Sequence, residues 1–320
     1  MNQKNEIGTF TISLDFELYW GVRDKRTVES YQQNLDGVYT AIPKVLEMFA
    51  MYGIHATWAT VGFLFFKDFD ELKKHLPDKL PSYEKKELSA YEYIASENEK
   101  DLKYHFAREL IDTIKQTPSQ EIASHTFSHF YTREQNSATN SFKSDARAYE
   151  KLAKDEGIEI DSIVFPRNQI DYDDLSVLKD VGIKVYRGNP NHWAYKDGDI
   201  EKSFFKRVFR FVDIYLNLSG YHTSLTQSHD GLVEVKSSMF FRPYSKKFAF
   251  LENLKLKRVK DAMTHAAKKK QNFHLWWHPH NFGVNQEQNL KNLEEILLHF
   301  KSLRIKYGMK SLNMKELANG

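Results

Sequence analysis

Two acids one residue apart, Asp15 and Glu17, close an apolar run that begins at Ile7. In an extended chain, residues i and i+2 point to the same side. Both carboxylates can therefore face one cavity while Phe16 turns away. Like charges this close drive their pKa values apart unless a cation lies between them. A divalent metal would let one acid ligate while the other acts as a base. The plainer alternative is a pair of strand-end acids that cap a loop or meet Arg23 and Lys25.

His125 and His129 stand four apart in the stretch Glu121–His129. On a helix this spacing places two imidazoles one turn apart on one face, which suits a zinc, nickel or cobalt ion. Glu17 as third ligand would leave positions open for water and substrate. Two histidines and one carboxylate also suit non-haem iron, so ligand type alone leaves the ion open. The alternative is two histidines packed or capping at a strand–helix junction. Arg167 follows the run Ile160–Phe165 and can hold a carboxylate such as Asp15 bidentately, or serve as an ordinary turn residue. His278 and His280 follow the aromatic run Phe273–Trp277. A histidine there can protonate a leaving group, with aromatic faces for sugar rings; otherwise the run is bulky core.

These groups share a position: each follows a strand-like segment, where βα folds gather their functional side chains. The pattern predicts strands at Ile7–Leu14, Ala56–Phe66, Glu121–Ser124, Ile160–Phe165, Ile183–Tyr186, Phe273–Trp277 and Met309–Leu312. It predicts helices around Val38–Phe49 ending near Gly53, and over Asp101–Lys115, Ser141–Glu156, Asp173–Asp180, Phe248–Lys270 and Gln286–Tyr307. Alternation of this kind implies a parallel sheet, open or closed into a barrel, in one domain over residues 1–320. Two stretches read as insertions: the charged segment 67–100, with its own short helix, and the aromatic, polar segment 188–244, expected as long loops with a strand at Leu232–Val235.

Composition removes several chemistries. The 320 residues contain no cysteine, which excludes disulfides, thiolate-bound zinc and a thiol nucleophile. With 46 Lys+Arg against 43 Asp+Glu, no phosphate-backbone footprint is apparent, and no nucleic-acid partner is expected. The dinucleotide, P-loop and nucleophile-elbow motifs are absent. The apolar runs Met48–Ile54 and Val61–Phe66 fall well short of the roughly 18 residues that span a bilayer. The polar start Met1–Glu6 does not read as a signal peptide, so a cytoplasmic location is expected.

Taken together these pieces resemble the polysaccharide deacetylases of carbohydrate esterase family 4. Thr11–Glu17 is similar to the family's paired-acid motif, Gly53–Gly62 to its second strand and Glu121–His129 to its metal-binding H-[ST]-x-x-H motif. Phe165–Arg167 looks like a degraded arginine motif, with Arg242–Pro243–Tyr244 as a rival, and Leu275–His278 resembles the histidine-bearing last strand. The resemblance implies a distorted (β/α)7 barrel and metal-assisted hydrolysis of an N-acetyl or O-acetyl group on a sugar. It implies Asp15 as general base, Glu17, His125 and His129 as ligands of one divalent ion with zinc expected first, Arg167 as tether of Asp15, and His278 as general acid, with His280 competing. The substrate expected is an acetylated surface-polysaccharide precursor, linked to a nucleotide or lipid. A glycoside hydrolase on a related barrel and a non-catalytic sugar-binding protein are the other readings.

Overall fold

A computed structural model describes residues 6–96, 101–134, 139–196 and 204–319. The first five residues of the polar start, and parts of both expected insertions (97–100 and 197–203), lie outside the described residues.

The first strand shows how the sequence builds the architecture. β1 (Thr9–Phe16) is buried along its whole length. Phe10, Ile12, Leu14 and Phe16 enter the large apolar cluster with α1 (Val28–Tyr52) and other elements. The alternate residues Thr9, Thr11 and Ser13 are just as buried, but their hydroxyl groups hydrogen-bond to polar side chains of other strands, Asn272, Arg187 and His274. Thr9 and Thr11 both donate to Asn272 Oδ1, at 3.0 and 2.9 Å. That polar stripe continues to Asp15 at the strand's C-terminal end.

From β1 the chain forms α1 and then β2 (Ala56–Thr60), the short helices α2 (Phe69–Lys74) and α3 (Ala90–Ala95), and α4 (Arg108–Gln116). Next come β3 (Gln120–Ser124), α5 (Thr139–Asp155), β4 (Ser162–Ile163), α6 (Leu175–Asp180) and β5 (Val185–Gly188). α7 (Phe204–Asp213), β6 (Gln227–His229), β7 (Leu232–Lys236) and β8 (Met239–Phe240) follow. α8 (Glu252–Lys269), β9 (Asn272–Trp277), α9 (Gln286–Tyr307), β10 (Lys310–Ser311) and α10 (Met314–Asn319) complete the chain. The helix α1 starts at a reciprocal cap, in which Thr27 Oγ1 accepts from the Ser30 N–H and Ser30 Oγ accepts from the Thr27 N–H. It stops at Gly53, whose φ of 62° favours glycine.

The strands hydrogen-bond in the order β6-β7-β5-β4-β3-β2-β1-β9-β8, with β10 against β1. All pairs are parallel except β6 with β7. β7 and β8 stand at opposite ends of that order yet are separated only by Ser237 and Ser238. The Ser237 N–H donates to the Gly188 carbonyl of β5 and the Ser238 N–H to the His274 carbonyl of β9. The segment from Leu232 to Phe240 therefore crosses from β5 to β9 and curls the sheet round. Counting it once, β1 to β5, this segment and β9 make seven parallel positions: the expected distorted (β/α)7 barrel.

Several boundaries differ from the sequence reading. The second strand stops at Thr60, and Gly62–Phe65 is a 3-10 turn. The strand expected over Ile160–Phe165 keeps only the two ladder residues of β4. Among its described residues, segment 67–100 carries two short α-helices rather than one. Segment 188–244, expected as loops with one strand, holds α7 and the hairpin β6–β7 as well. Among the described residues, no helix is long and apolar enough to cross a membrane.

Candidate active site

At the C-terminal ends of the parallel strands opens a cavity of about 1020 Å3, lined by Asp15, Glu17, His129, Arg167, Trp276 and His278 among others. Asp15, Glu17, His129, Arg167 and His278 are thus brought to one cavity.

Glu17 lies just beyond β1, and the chain turns back on it at once through Leu18–Gly21. A Cβ on Gly21 would sit 1.9 Å from Glu17 Oε1, so only glycine leaves room for this carboxylate. Glu17 Oε2 stands 3.2 Å from His125 Nε2 and 3.0 Å from His129 Nε2, and all three side chains are buried. Contrary to the expectation of a shared helix face, the two histidines occupy a non-helical loop in which Thr126 and His129 have φ of 63° and 57°. A loop with these two left-handed residues brings the rings together, centroids 5.1 Å apart, as a helical turn would have done.

That loop is held from two sides. Gly62 and Phe63 donate their N–H groups to the carbonyls of Thr126 and Phe127, and a Cβ on Gly62 would lie 2.9 Å from Phe127 Cα. Buried Asp145 on α5 accepts from the N–H of Phe127 at 2.7 Å, the N–H of Ser128 at 3.1 Å and Ser128 Oγ at 2.5 Å. Asp145 escaped the sequence reading because it sits inside a helix, far from any motif.

The donor chemistry of the cluster fits a cation. His125 Nδ1 lies 2.8 Å from the Val164 carbonyl, which can only accept, so Nδ1 carries the proton. In the neutral ring the Nε2 lone pair then faces Glu17 Oε2 with no proton to share, and a metal ligand oriented by a backbone carbonyl has this geometry. Burial, against the attraction of Glu17, takes His129 down to about 4, so its ring is neutral at pH 7. Burial alone would raise Glu17, but the histidines around it outweigh burial and hold it well below the usual carboxylate range. An ionised oxygen and two imidazole nitrogens converge, within 4.8 Å of one another.

Asp15 has a different partner from the one expected. Arg167, the anticipated tether, instead pairs with Asp24, its guanidinium 3.9 Å from the Tyr131 ring centroid. The tether is Arg187 at the end of β5. Its Nη1 donates to Asp15 Oδ1 at 2.6 Å and its Nη2 to Oδ2 at 2.8 Å. Ser13 Oγ and Asn168 Oδ1 accept further bonds from it at 2.9 and 2.7 Å, and Trp276 covers it at 4.4 Å. The rival Arg242 lies toward Phe211, not Asp15. Burial would raise Asp15, yet the charge of Arg187, that of His125 and the bonds from Arg187 bring it below its ordinary value. A lone arginine two residues after the buried Val185 was the available signal in the sequence.

His278 Nε2 faces both acids, 3.7 Å from Glu17 Oε1 and 3.9 Å from Asp15 Oδ2, and its other nitrogen lies 3.3 Å from Asn281 Oδ1. His280 stacks beneath it, centroids 4.9 Å apart. It is almost fully buried, and burial followed by the charge of His278 takes it down to about 3.

No family model and no curated protein matches the sequence. Solved structures do match. A protein assigned as a polysaccharide deacetylase from Mycobacterium smegmatis superposes with a TM-score of 0.60 at 10% identity, over 100% of this chain and 93% of its own. A second, from Pseudomonas aeruginosa PAO1, gives 0.56 at 9% identity over 97% and 89%. A GH57-type branching enzyme from Pyrococcus horikoshii gives 0.54 at 11% identity over 98% and 70%. At such identities the likeness is one of architecture, and by that likeness and its seven-position parallel barrel this chain has the polysaccharide deacetylase fold.

Proposed function

We propose that this chain is a metal-dependent carbohydrate deacetylase, formed as one catalytic domain, that hydrolyses an N-acetyl or O-acetyl group on a sugar. The observation that carries this is the convergence of two ionised carboxylates of separate allegiance in one cavity: Glu17 facing two histidines, Asp15 gripped by an arginine, and His278 within 4 Å of both. Glu17, His125 and His129 are the residues that would hold a divalent ion, with zinc first among the ions this set suits. When bound there, such an ion polarises an acyl oxygen and acidifies a water, which lets a carboxylate as weak as Asp15 serve as base.

Asp15 takes the water proton, and Arg187 keeps it ionised and aimed. His278, partly open to the cavity, gives a proton to the departing amine or alcohol. Neutral, buried His280 supports the His278 ring by stacking, and so is the weaker candidate for the acid. Trp276 and Phe240, both lining the cavity, offer flat faces to a sugar ring.

A glycosidase on this barrel needs one carboxyl group held protonated by a raised pKa. Asp15 and Glu17 are both shifted the other way, which disfavours these two as a glycosidase's carboxyl pair. The test is acetate release from a panel of N-acetylated sugars in the presence of divalent ions. Release that is lost in Asp15→Asn supports the assignment. Cleavage of a glycosidic bond without acetate release would replace it.

A further inference from the structure

One wall of the cavity comes from segment 188–244 and the start of α8. It is cationic: Arg207 and Arg210 project from α7, Arg242 follows β8, and Lys255 and Arg258 stand on α8. Buried Lys255 and Arg258 have carboxylate partners, Glu252 at 2.7 Å and Asp213 at 3.0 Å. Arg207 and Arg242 are different. Both are exposed residues lining the cavity, and neither forms an ion pair with an acidic side chain among the described residues. Arg207 and Phe211 are one turn apart on α7, so they share a face, and the Arg242 guanidinium lies 5.8 Å from the Phe211 ring centroid. One guanidinium thus lies beside the Phe211 ring, and a second projects from the same helix face into the same cavity.

The imbalance is local. Residues 204–258 hold ten Lys and Arg against four Asp and Glu, whereas the whole chain is nearly neutral at 46 against 43. Like charges gathered at a protein cavity repel one another, and the repulsion is relieved when an anion arrives between them. The planar guanidinium fork matches phosphate oxygens, whereas a neutral sugar needs no such concentration of charge. The cavity, about 1020 Å3, stands at the upper end of the roughly 300–1,000 Å3 usual for small-molecule sites. It has room for more than one sugar ring.

We propose that Arg207 and Arg242 form a subsite for a phosphate or diphosphate group carried by the same substrate whose acetyl group meets Asp15 and His278. This rests on the deacetylase reading for the sugar end, but not for the anion. The substrate class is an N-acetylated sugar joined through phosphate to a nucleoside or a lipid.

Calorimetric titration of the metal-supplemented protein with UDP, uridine and farnesyl diphosphate tests the subsite without turnover. At least one diphosphate binds and uridine does not; which diphosphate binds separates a nucleotide carrier from a lipid one. The double change Arg207→Gln with Arg242→Gln weakens that binding tenfold or more, the corresponding double lysine variant recovers part of it, and His125→Ala leaves it in place. Binding lost in His125→Ala but untouched by the arginine changes would put the anion at the histidine cluster and overturn the proposal. Absence of binding by both diphosphates would also overturn it. Because no step requires acetate release, a silent deacetylase assay leaves a positive result standing, and a negative result leaves deacetylation to be judged on its own assay.

Discussion

Arg187 grips Asp15 with both terminal nitrogens, at 2.6 and 2.8 Å, and both side chains are buried. The pair joins the end of β5 to the end of β1, two strands that are not neighbours in the sheet. Its contact therefore runs across the barrel, and it holds the proposed base in one orientation.

Breaking such a pair strands a buried charge, at a cost of about 3–5 kcal/mol. Arg187→Gln is expected to lower stability on that scale and to reduce acetate release at least a hundredfold. Arg187→Lys keeps the charge but loses the second bond, and should fall between the two. Arg167→Gln is expected to cost less than tenfold in activity, since Arg167 pairs with Asp24. Urea unfolding and acetate release measured on all three variants check this. A larger loss in Arg167→Gln than in Arg187→Gln would reverse the assignment.

The metal-ligand loop depends on the space beside Phe127. Gly62→Ala pushes a methyl group against the Phe127 backbone, and Asp145→Ala leaves the N–H groups of Phe127 and Ser128 without their acceptor. Each unsatisfied buried group costs about 1–3 kcal/mol. Both variants are expected to weaken divalent-ion affinity by tenfold or more while leaving the arginine wall intact. Ion affinity equal to that of the unchanged protein would show that the loop does not need these supports.

The last strand supplies two histidines with different surroundings. His278→Asn should reduce the maximal rate by a factor of about 10²–10⁴, the range general acid catalysis contributes. His280→Asn should act mainly on stability, with a loss in rate below tenfold. Rate constants for the two variants separate the roles; the opposite ranking would move the acid to His280.

Acid should destabilise the fold through its buried neutral imidazoles. Burial, reinforced by the Arg187 charge, takes His274 down to about 3. As pH falls below the ordinary histidine value of about 6.5, the unfolded chain takes up a proton that the folded chain refuses until about pH 3. Stability therefore declines across that window, at up to about 1.4 kcal/mol per pH unit for this one group. His274→Asn should make the decline shallower by that proton. Urea midpoints at pH 7, 5.5 and 4 measure it, and an unchanged slope would contradict it.

The barrel was legible because a run such as Phe10, Ile12 and Leu14 can only face a core, and because Gly53 must end its helix. The acids and histidines were legible because strand ends and spacing define them. Arg187 was not: a charged residue in an apolar strand reads as the strand's edge, and only the polar interior built by Thr9, Thr11 and Ser13 makes room for it. The His125–His129 spacing predicted a helix, yet left-handed φ values at Thr126 and His129 produce the same approach in a loop. α7 escaped because its phenylalanines, interleaved with Lys206, Arg207 and Arg210, read as an aromatic loop.

Equilibrium dialysis of the purified protein against zinc, with the ion counted per chain, tests most directly the claim that Glu17, His125 and His129 form the heart of a metal-dependent site. The expected result is one tightly held ion per chain, lost in His125→Ala and His129→Ala and retained in Arg167→Gln. A chain that takes up neither zinc nor another divalent ion, or one whose ion survives both histidine changes, would contradict the account.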